Sequence, residues 1–148
     1  NQQRYAHAHI LLAGSNFGCG SSREHAVWAL AEYGIRIVVA PSFAPIFFGN
    51  CVRNGVLPAV LPVAAILEMA QGIDADPQGN PLTVDLPAQT ISLPDGRFWP
   101  FALESEPKAM LVGGLDAIDL TLQLRPRIDA FLERDRRERP WIYLGPQR

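Results

Sequence analysis

Cysteine is scarce in this chain: two in 148 residues, Cys19 and Cys51. Two thiols are too few for an iron–sulfur cluster, and they lack the close spacing of metal-ligand pairs. An excess of positive charge is also missing. Thirteen Lys and Arg stand against fifteen Asp and Glu, a net charge of −2, which argues against the broad basic footprint of a nucleic-acid binder. Arg134, Arg136, Arg137 and Arg139 alternate with Glu133, Asp135 and Glu138 and read as a solvated helix face. No apolar run is long enough to span a bilayer. No basic segment followed by an apolar one marks a signal peptide. Repeats and low-complexity segments are absent. A soluble, cytoplasmic protein is the expectation. The chain opens at Asn1 without Met, as a fragment or a processed form would.

Apolar residues are plentiful. Hydrophobic residues make up 48% and charged residues 19%, enough to bury a core within one domain spanning residues 1–148. His9 to Ala13 reads as a short buried strand, and Ser22 to Tyr33 as a helix stopped by Gly34. Ile35 to Ala40 is a second buried strand. Strand, helix and strand with short links make a βαβ unit with parallel strands. A helix over Ser42–Asn54 follows, then a strand over Val56–Leu61 that Pro58 bends or places at an edge. A short helix over Val63–Gln71 is expected to stop at Gly72. The pattern then changes. A polar turn with Pro77, Gly79 and Pro81 leads to strands over 82–86, 89–93 and 97–101, the last two joined at Pro94-Asp95-Gly96. Helices are expected over 107–111, over 116–124, and from Pro126 to about Arg137. The expected fold class is α/β: a parallel βαβ core with an appended antiparallel hairpin.

The segment with the most chemistry is Asn16-Phe17-Gly18-Cys19-Gly20-Ser21-Ser22-Arg23-Glu24-His25, between the first strand and the first helix. One reading is structural: Ser21 and Glu24 fit a Ser-x-x-Glu capping box. The segment is not a phosphate-binding Gly-Lys-Ser/Thr loop, a Gly-x-Gly-x-x-Gly turn or a Gly-x-Ser-x-Gly elbow. The other reading is functional. A helix N-terminus attracts anions, and Arg23 adds a planar fork for a carboxylate. A serine hydroxyl held among N–H groups, a helix dipole and a cation can reach its alkoxide form. That suits removal of a proton from carbon beside a carboxylate. The electrophile needed to take a leaving hydroxyl has no candidate in this chain.

Residues 16–26 resemble the signature of the swivelling domain of the aconitase superfamily. Further segments are similar to bacterial 3-isopropylmalate dehydratase small subunits: Ala40-Pro41-Ser42-Phe43-Ala44 with Ile46, Phe47 and Asn50; Asn54 to Pro58; Leu82 to Leu86; and Gly114 to Leu122. The resemblance runs in order to about Leu124. It implies an aconitase-type swivelling β/β/α domain and a hydro-lyase that interconverts 2- and 3-isopropylmalate in leucine biosynthesis, by loss and return of water. It further implies a [4Fe-4S] cluster on a separate large subunit, acting as Lewis acid, with no cofactor or metal on this chain. The small subunit then works in a heterodimer or larger assembly on a small dicarboxylate hydroxyacid. By the same resemblance Ser21 aligns with the proton-transferring base, and Gly20, Ser22 and Arg23 with substrate-binding residues. Members of the family usually begin several dozen residues earlier, with a segment that contacts the variable group of the substrate. Alternatives are the small subunit of a related hydro-lyase acting on citramalate, methylmalate or homoaconitate, and a non-catalytic swivelling module.

Other residues carry smaller expectations. For His25 structural hydrogen bonding is favoured over positioning the loop or tuning Arg23, and for Cys19 a small packed residue is favoured over lining the site. Cys51 belongs to the core or to a helix surface. Phe43, Phe47 and Phe48 are expected in the core, with part free to face a partner. Trp28 fits core or interface, and Trp141 and Tyr143 either dock on a partner or pack back. His7 and His9 are assigned nothing.

Overall fold

Strand and helix alternate through the first half because short apolar runs are punctuated by turn residues. In the computed structural model, which describes residues 3–76 and 79–143 apart from the Arg4 side chain, β1 is Ile10–Leu12, α1 His25–Tyr33, β2 Ile37–Ala40, α2 Pro45–Arg53, β3 Leu57–Val60 and α3 Val63–Ala75. Three antiparallel strands follow, β4 Thr83–Asp85, β5 Thr90–Ser92 and β6 Phe98–Pro100, then α4 Ser105–Gly113, α5 Ala117–Gln123 and α6 Arg125–Glu138. Single 3₁₀ turns lie at Gln3–Tyr5 and Pro140–Tyr143. Pro77 lies outside the described residues.

The chain divides into two compact units, residues 1–114 and 115–148. In the first, β1, β2 and β3 form a parallel sheet in that order, with Val38 opposite Leu11 on one side and Pro58 on the other. Side chains of a strand alternate between faces, and β2 feeds two cores at once. Val38 joins Val27, Ile35, Phe47, Cys51 and Val56 beneath α1 and α2. Val39 joins Leu57, Ala59, Ile66, Met69, Ile91 and Phe101 beneath α3 and the antiparallel strands. That sandwiching explains the unbroken apolar character of β2. The antiparallel unit is a full three-stranded sheet, β4-β5-β6, whose Ile91 is completely buried.

Element boundaries depart from expectation in three places. α1 begins at His25 rather than Ser22. α2 begins at Pro45, whose fixed φ and missing N–H suit the first helical turn. Residues 42–44 run extended instead, with Phe43 bridged to Phe17. α3 passes straight through Gly72. A Cβ there would lie 2.9 Å from Leu93 Cδ1 and 3.1 Å from Arg97 Nη2, so this glycine brings the helix close to the β5–β6 turn rather than ending it.

In the second unit, Asp116 caps α5. Its carboxylate accepts the Asp119 N–H at 2.7 Å, and the Asp119 carboxylate accepts the Asp116 N–H at 3.3 Å, completing a capping box. The charged stretch of α6 is not wholly a solvated face. Asp135 is buried, with its carboxylate bonded to Arg139 Nε at 2.6 Å and to the Tyr143 hydroxyl at 2.6 Å. The tail therefore packs back through Tyr143, while Trp141 is exposed.

Candidate functional site

The site loop is held from beneath and open above. After β1, Ala13 N–H still bonds to Val39 O at 2.8 Å. The chain then turns through Asn16 (φ 56°) and Gly18 (φ 83°), both left-handed. Asn16 N–H donates to the Ser42 hydroxyl at 2.8 Å, Phe17 N–H to Ser42 O at 2.9 Å, and Ala44 N–H to Phe17 O at 2.9 Å. The Phe17 ring stands edge-on to Phe47 (5.4 Å) and to Phe43 (6.3 Å). These contacts fasten the loop to the start of α2.

Beyond that anchor the sequence-predicted residues follow one another toward the surface. Gly20, Ser22 and Arg23 are exposed and Ser21 is half-buried. Ser21 N–H reaches Gly18 O at 3.5 Å, and the Ser21 hydroxyl accepts the Arg23 N–H at 3.2 Å. Among the described residues, neither the Ser22 hydroxyl nor the Arg23 guanidinium has a hydrogen-bonding or ionic partner. The expected capping box at Ser21 does not form. Ser21 lies four residues before the helix, and the Glu24 carboxylate instead accepts Asn54 Nδ2 at 2.7 Å. The helix opens at Glu24, already in helical geometry, with its carbonyl accepting Val27 N–H at 2.9 Å.

The arrangement provides a hydroxyl that already accepts an N–H, at the mouth of a helix, beside an unpaired guanidinium. An N–H aimed at oxygen favours the charged form of that oxygen, and the helix terminus adds partial positive charge. Such a surface suits an anionic ligand. A cavity of about 710 Å³ lies elsewhere, along β1, lined by residues including Tyr5, His9, Leu12, Ile73 and Leu82. It is largely apolar in lining and contains none of the loop residues.

Cys19 is exposed, not packed as expected, because the turn at Gly18 points the following residues outward. Cys51 is in the core, where burial pushes its thiol up to about 12. Among the described residues no group of three or more His, Cys, Asp and Glu could hold a metal. One exposed thiol and one buried, protonated thiol do not fit an iron–sulfur cluster.

Several contacts were not legible in the sequence. Asn54 links Glu24 and the Trp28 indole, and His9 Nδ1 lies 2.8 Å from Gly34 O at the end of α1. The His25 ring lies against Trp28, with centroids 4.6 Å apart and planes tilted by 53°. Phe47 is fully in the core, while Phe43 and Phe48 are half-buried and Trp28 is exposed. The Asn54 and His9 contacts span 25 to 30 residues, and no local spacing announces them.

A family model described as the aconitase C-terminal domain matches residues 1–64, and one described as LeuD_N matches residues 74–105. A 3-isopropylmalate dehydratase small subunit of Cupriavidus necator is 56% identical over 143 residues, 97% of this chain and 69% of that protein. Those of Rhodospirillum centenum and Neisseria meningitidis are 52% and 48% identical, over 95% and 98% of this chain and 69% and 68% of theirs. The crystal structure of 3-isopropylmalate dehydratase (leuD) from Methanocaldococcus jannaschii superposes with a TM-score of 0.59 at 28% identity, covering 82% of this chain and 68% of that one. Among the described residues no helix is long and apolar enough to cross a membrane. With such identity across nearly its whole length, the chain belongs to the family of 3-isopropylmalate dehydratase small subunits, in the aconitase superfamily.

Proposed function

We propose that this chain is the small subunit of a 3-isopropylmalate dehydratase, and that Ser21 is its proton-transferring base while Gly20, Ser22 and Arg23 bind substrate. The observation that carries the site assignment is a Ser21 hydroxyl that accepts the Arg23 N–H, followed in the chain by an exposed Ser22 and an exposed Arg23 whose side chains have no partner among the described residues. Relatives named for isopropylmalate at 48–56% identity favour that substrate over citramalate, methylmalate or homoaconitate.

In this reading Arg23 grips a substrate carboxylate with two parallel N–H groups and Ser22 adds a third donor. The Ser21 oxygen takes the proton from the carbon beside a carboxylate. The carbon–carbon double bond forms as hydroxide leaves the neighbouring carbon, giving isopropylmaleate, and return of water in the opposite sense gives the isomer. The proton and hydroxide lost together equal one water. Cys19 and Cys51 do not fit a cluster, so the proposal assigns the [4Fe-4S] group, which supplies a Lewis acid, to a large subunit. The chain contributes half of a site completed by that partner, in the cytoplasm.

The test is turnover in the complex reconstituted anaerobically with its large subunit, followed by absorbance of the unsaturated intermediate. Ser21→Ala is expected to lower kcat by about 100-fold or more, as loss of a general base does. Arg23→Lys, which keeps charge but loses the fork, is expected to raise KM by about tenfold or more. Wild-type turnover in both variants overturns the assignment.

A further inference from the structure

The site loop ends at Glu24, and Glu24 is clamped by a residue from the far end of α2. Asn54, the residue that caps α2, uses its whole amide there. Its Nδ2 donates to Glu24 Oε1 at 2.7 Å and to Asn50 O at 2.8 Å, and its Oδ1 accepts the Trp28 indole N–H at 2.9 Å. Asn50 beneath it is buried, and its side-chain oxygen accepts a hydrogen bond from Arg53. One side chain therefore joins the N-cap of α1, its first turn through Trp28, and the last turn of α2.

The geometry points to Asn54 as a positioning residue for the loop that carries Ser21, Ser22 and Arg23, an inference that rests on the function proposed above. The other end of the loop is fixed by Ser42 and by the phenylalanines around Gly18. Between the two anchors lie only Cys19 to Arg23, so the orientation of those five residues follows from where each anchor sits. Glu24 would be expected to help cap its own helix; giving its carboxylate to Asn54 instead ties loop exit to α2. A misplacement of about 1 Å at a reacting group can cost about 100-fold in rate, so a clamp one residue from Arg23 is felt in catalysis. Nothing local in the sequence requires an asparagine here, because the native contact to Glu24 spans 30 residues.

The experiment uses the chain in complex with its large subunit. Asn54→Asp replaces the donating amide with an acceptor facing two acceptors, the Glu24 carboxylate and Asn50 O. It is expected to lower kcat/KM by about 10- to 100-fold, with kcat falling and KM rising together because Ser21, Ser22 and Arg23 ride on one segment. Glu24→Gln alone is expected to stay near wild type, since its amide oxygen still accepts from Asn54. Combined with Asn54→Asp, its amide N–H donates to the introduced carboxylate, and at least a tenfold recovery is expected. Thermal melts of each variant keep folding in view. Wild-type kcat and KM in a folded Asn54→Asp enzyme overturn the inference, as does a loss that Glu24→Gln leaves unrelieved. Ser21→Ala, measured alongside, separates the two readings. Full turnover there sinks the proposed base, whereas an inactive Ser21→Ala with an unimpaired Asn54→Asp sinks the clamp alone.

Discussion

Gly18 and Gly20 lie two residues apart in the same loop, and the structure gives them opposite roles. At Gly18 the backbone is left-handed (φ 83°), and an added Cβ would fall 2.1 Å from Phe47 Cγ, 2.5 Å from its Cβ and 2.6 Å from its Cδ1. Contacting carbons sit near 3.5–4.0 Å, so the Phe47 ring would need to retreat by about 1.5 Å. Phe47 is 2% exposed, within the cluster formed by Val27, Val38, Cys51 and Val56, and its Cβ cannot swing aside without moving α2. Gly18→Ala is therefore expected to cost about 1–2 kcal/mol for the left-handed backbone and about 1–3 kcal/mol for overpacking, or about 2–5 kcal/mol together. Gly20 has no neighbour within 4 Å of such a Cβ and no left-handed φ. Gly20→Ala is expected to change stability by less than about 0.5 kcal/mol while raising KM, because its methyl group projects where the proposal places substrate. Equilibrium urea unfolding of the full chain, with the slope held in common, measures the first pair of values, and turnover in the complex measures the last. A Gly18→Ala protein as stable as wild type would refute the packing argument. A stable Gly20→Ala with unchanged KM would remove Gly20 from the substrate surface.

The two cysteines should separate in reactivity: under native conditions a thiol reagent is expected to label Cys19 rapidly and leave Cys51, buried and protonated, until the chain is unfolded in denaturant; rapid native labelling of Cys51 would contradict its place in the core. The Asp135 hub should make α6 sensitive to pH. The Tyr143 hydroxyl, then the Arg139 guanidinium, hold the Asp135 carboxyl below its usual value, and the same carboxylate raises Tyr143. A lowered folded pKa means stability that is present above about pH 4 and lost as pH falls through the folded value. A raised tyrosine pKa means stability present below about pH 10 and lost as pH rises through its folded value. Melts by circular dichroism across that range are expected to fall at both ends in wild type, with the acid limb flattened in Asp135→Asn.

The parallel sheet was readable because its signal is local. Ile35 to Ala40, apolar but for Arg36, is too short for a buried helix and bounded by Gly34 and Pro41, and a strand buried on both faces needs nothing else. The turn at Pro94-Asp95-Gly96 and the helix from Pro126 were readable for the same reason. The misplaced boundaries share a cause of the opposite kind. Gly72 has the look of a helix stop, yet Leu93 and Arg97 approach it from the antiparallel sheet, and tertiary packing overrides a weak propensity. Pro45 marks the true start of α2, but residues 42–44 are drawn into extended geometry by Phe17, a partner 26 residues away. The proposed site residues stand in order along the chain as a motif; the two anchors that hold their loop were not legible.

The capping box shows how far a local rule can be displaced. Ser21-x-x-Glu24 and Asp116-x-x-Asp119 are spaced alike, and only the second forms. In the second, among the described residues no side chain from elsewhere reaches either carboxylate, and reciprocal bonds to the backbone satisfy the helix end. In the first, Asn54 draws off the Glu24 carboxylate, and the left-handed turn at Gly18 leads the chain into the helix from a different direction. Ser21 is thereby released from capping. In a capping box the serine oxygen would accept the N–H three residues on. The observed one accepts the N–H two residues on, at 3.2 Å, and the residue is half-buried. The sequence rule fails at the position where the resemblance places chemistry, and it fails because Glu24 is held by a residue 30 positions away.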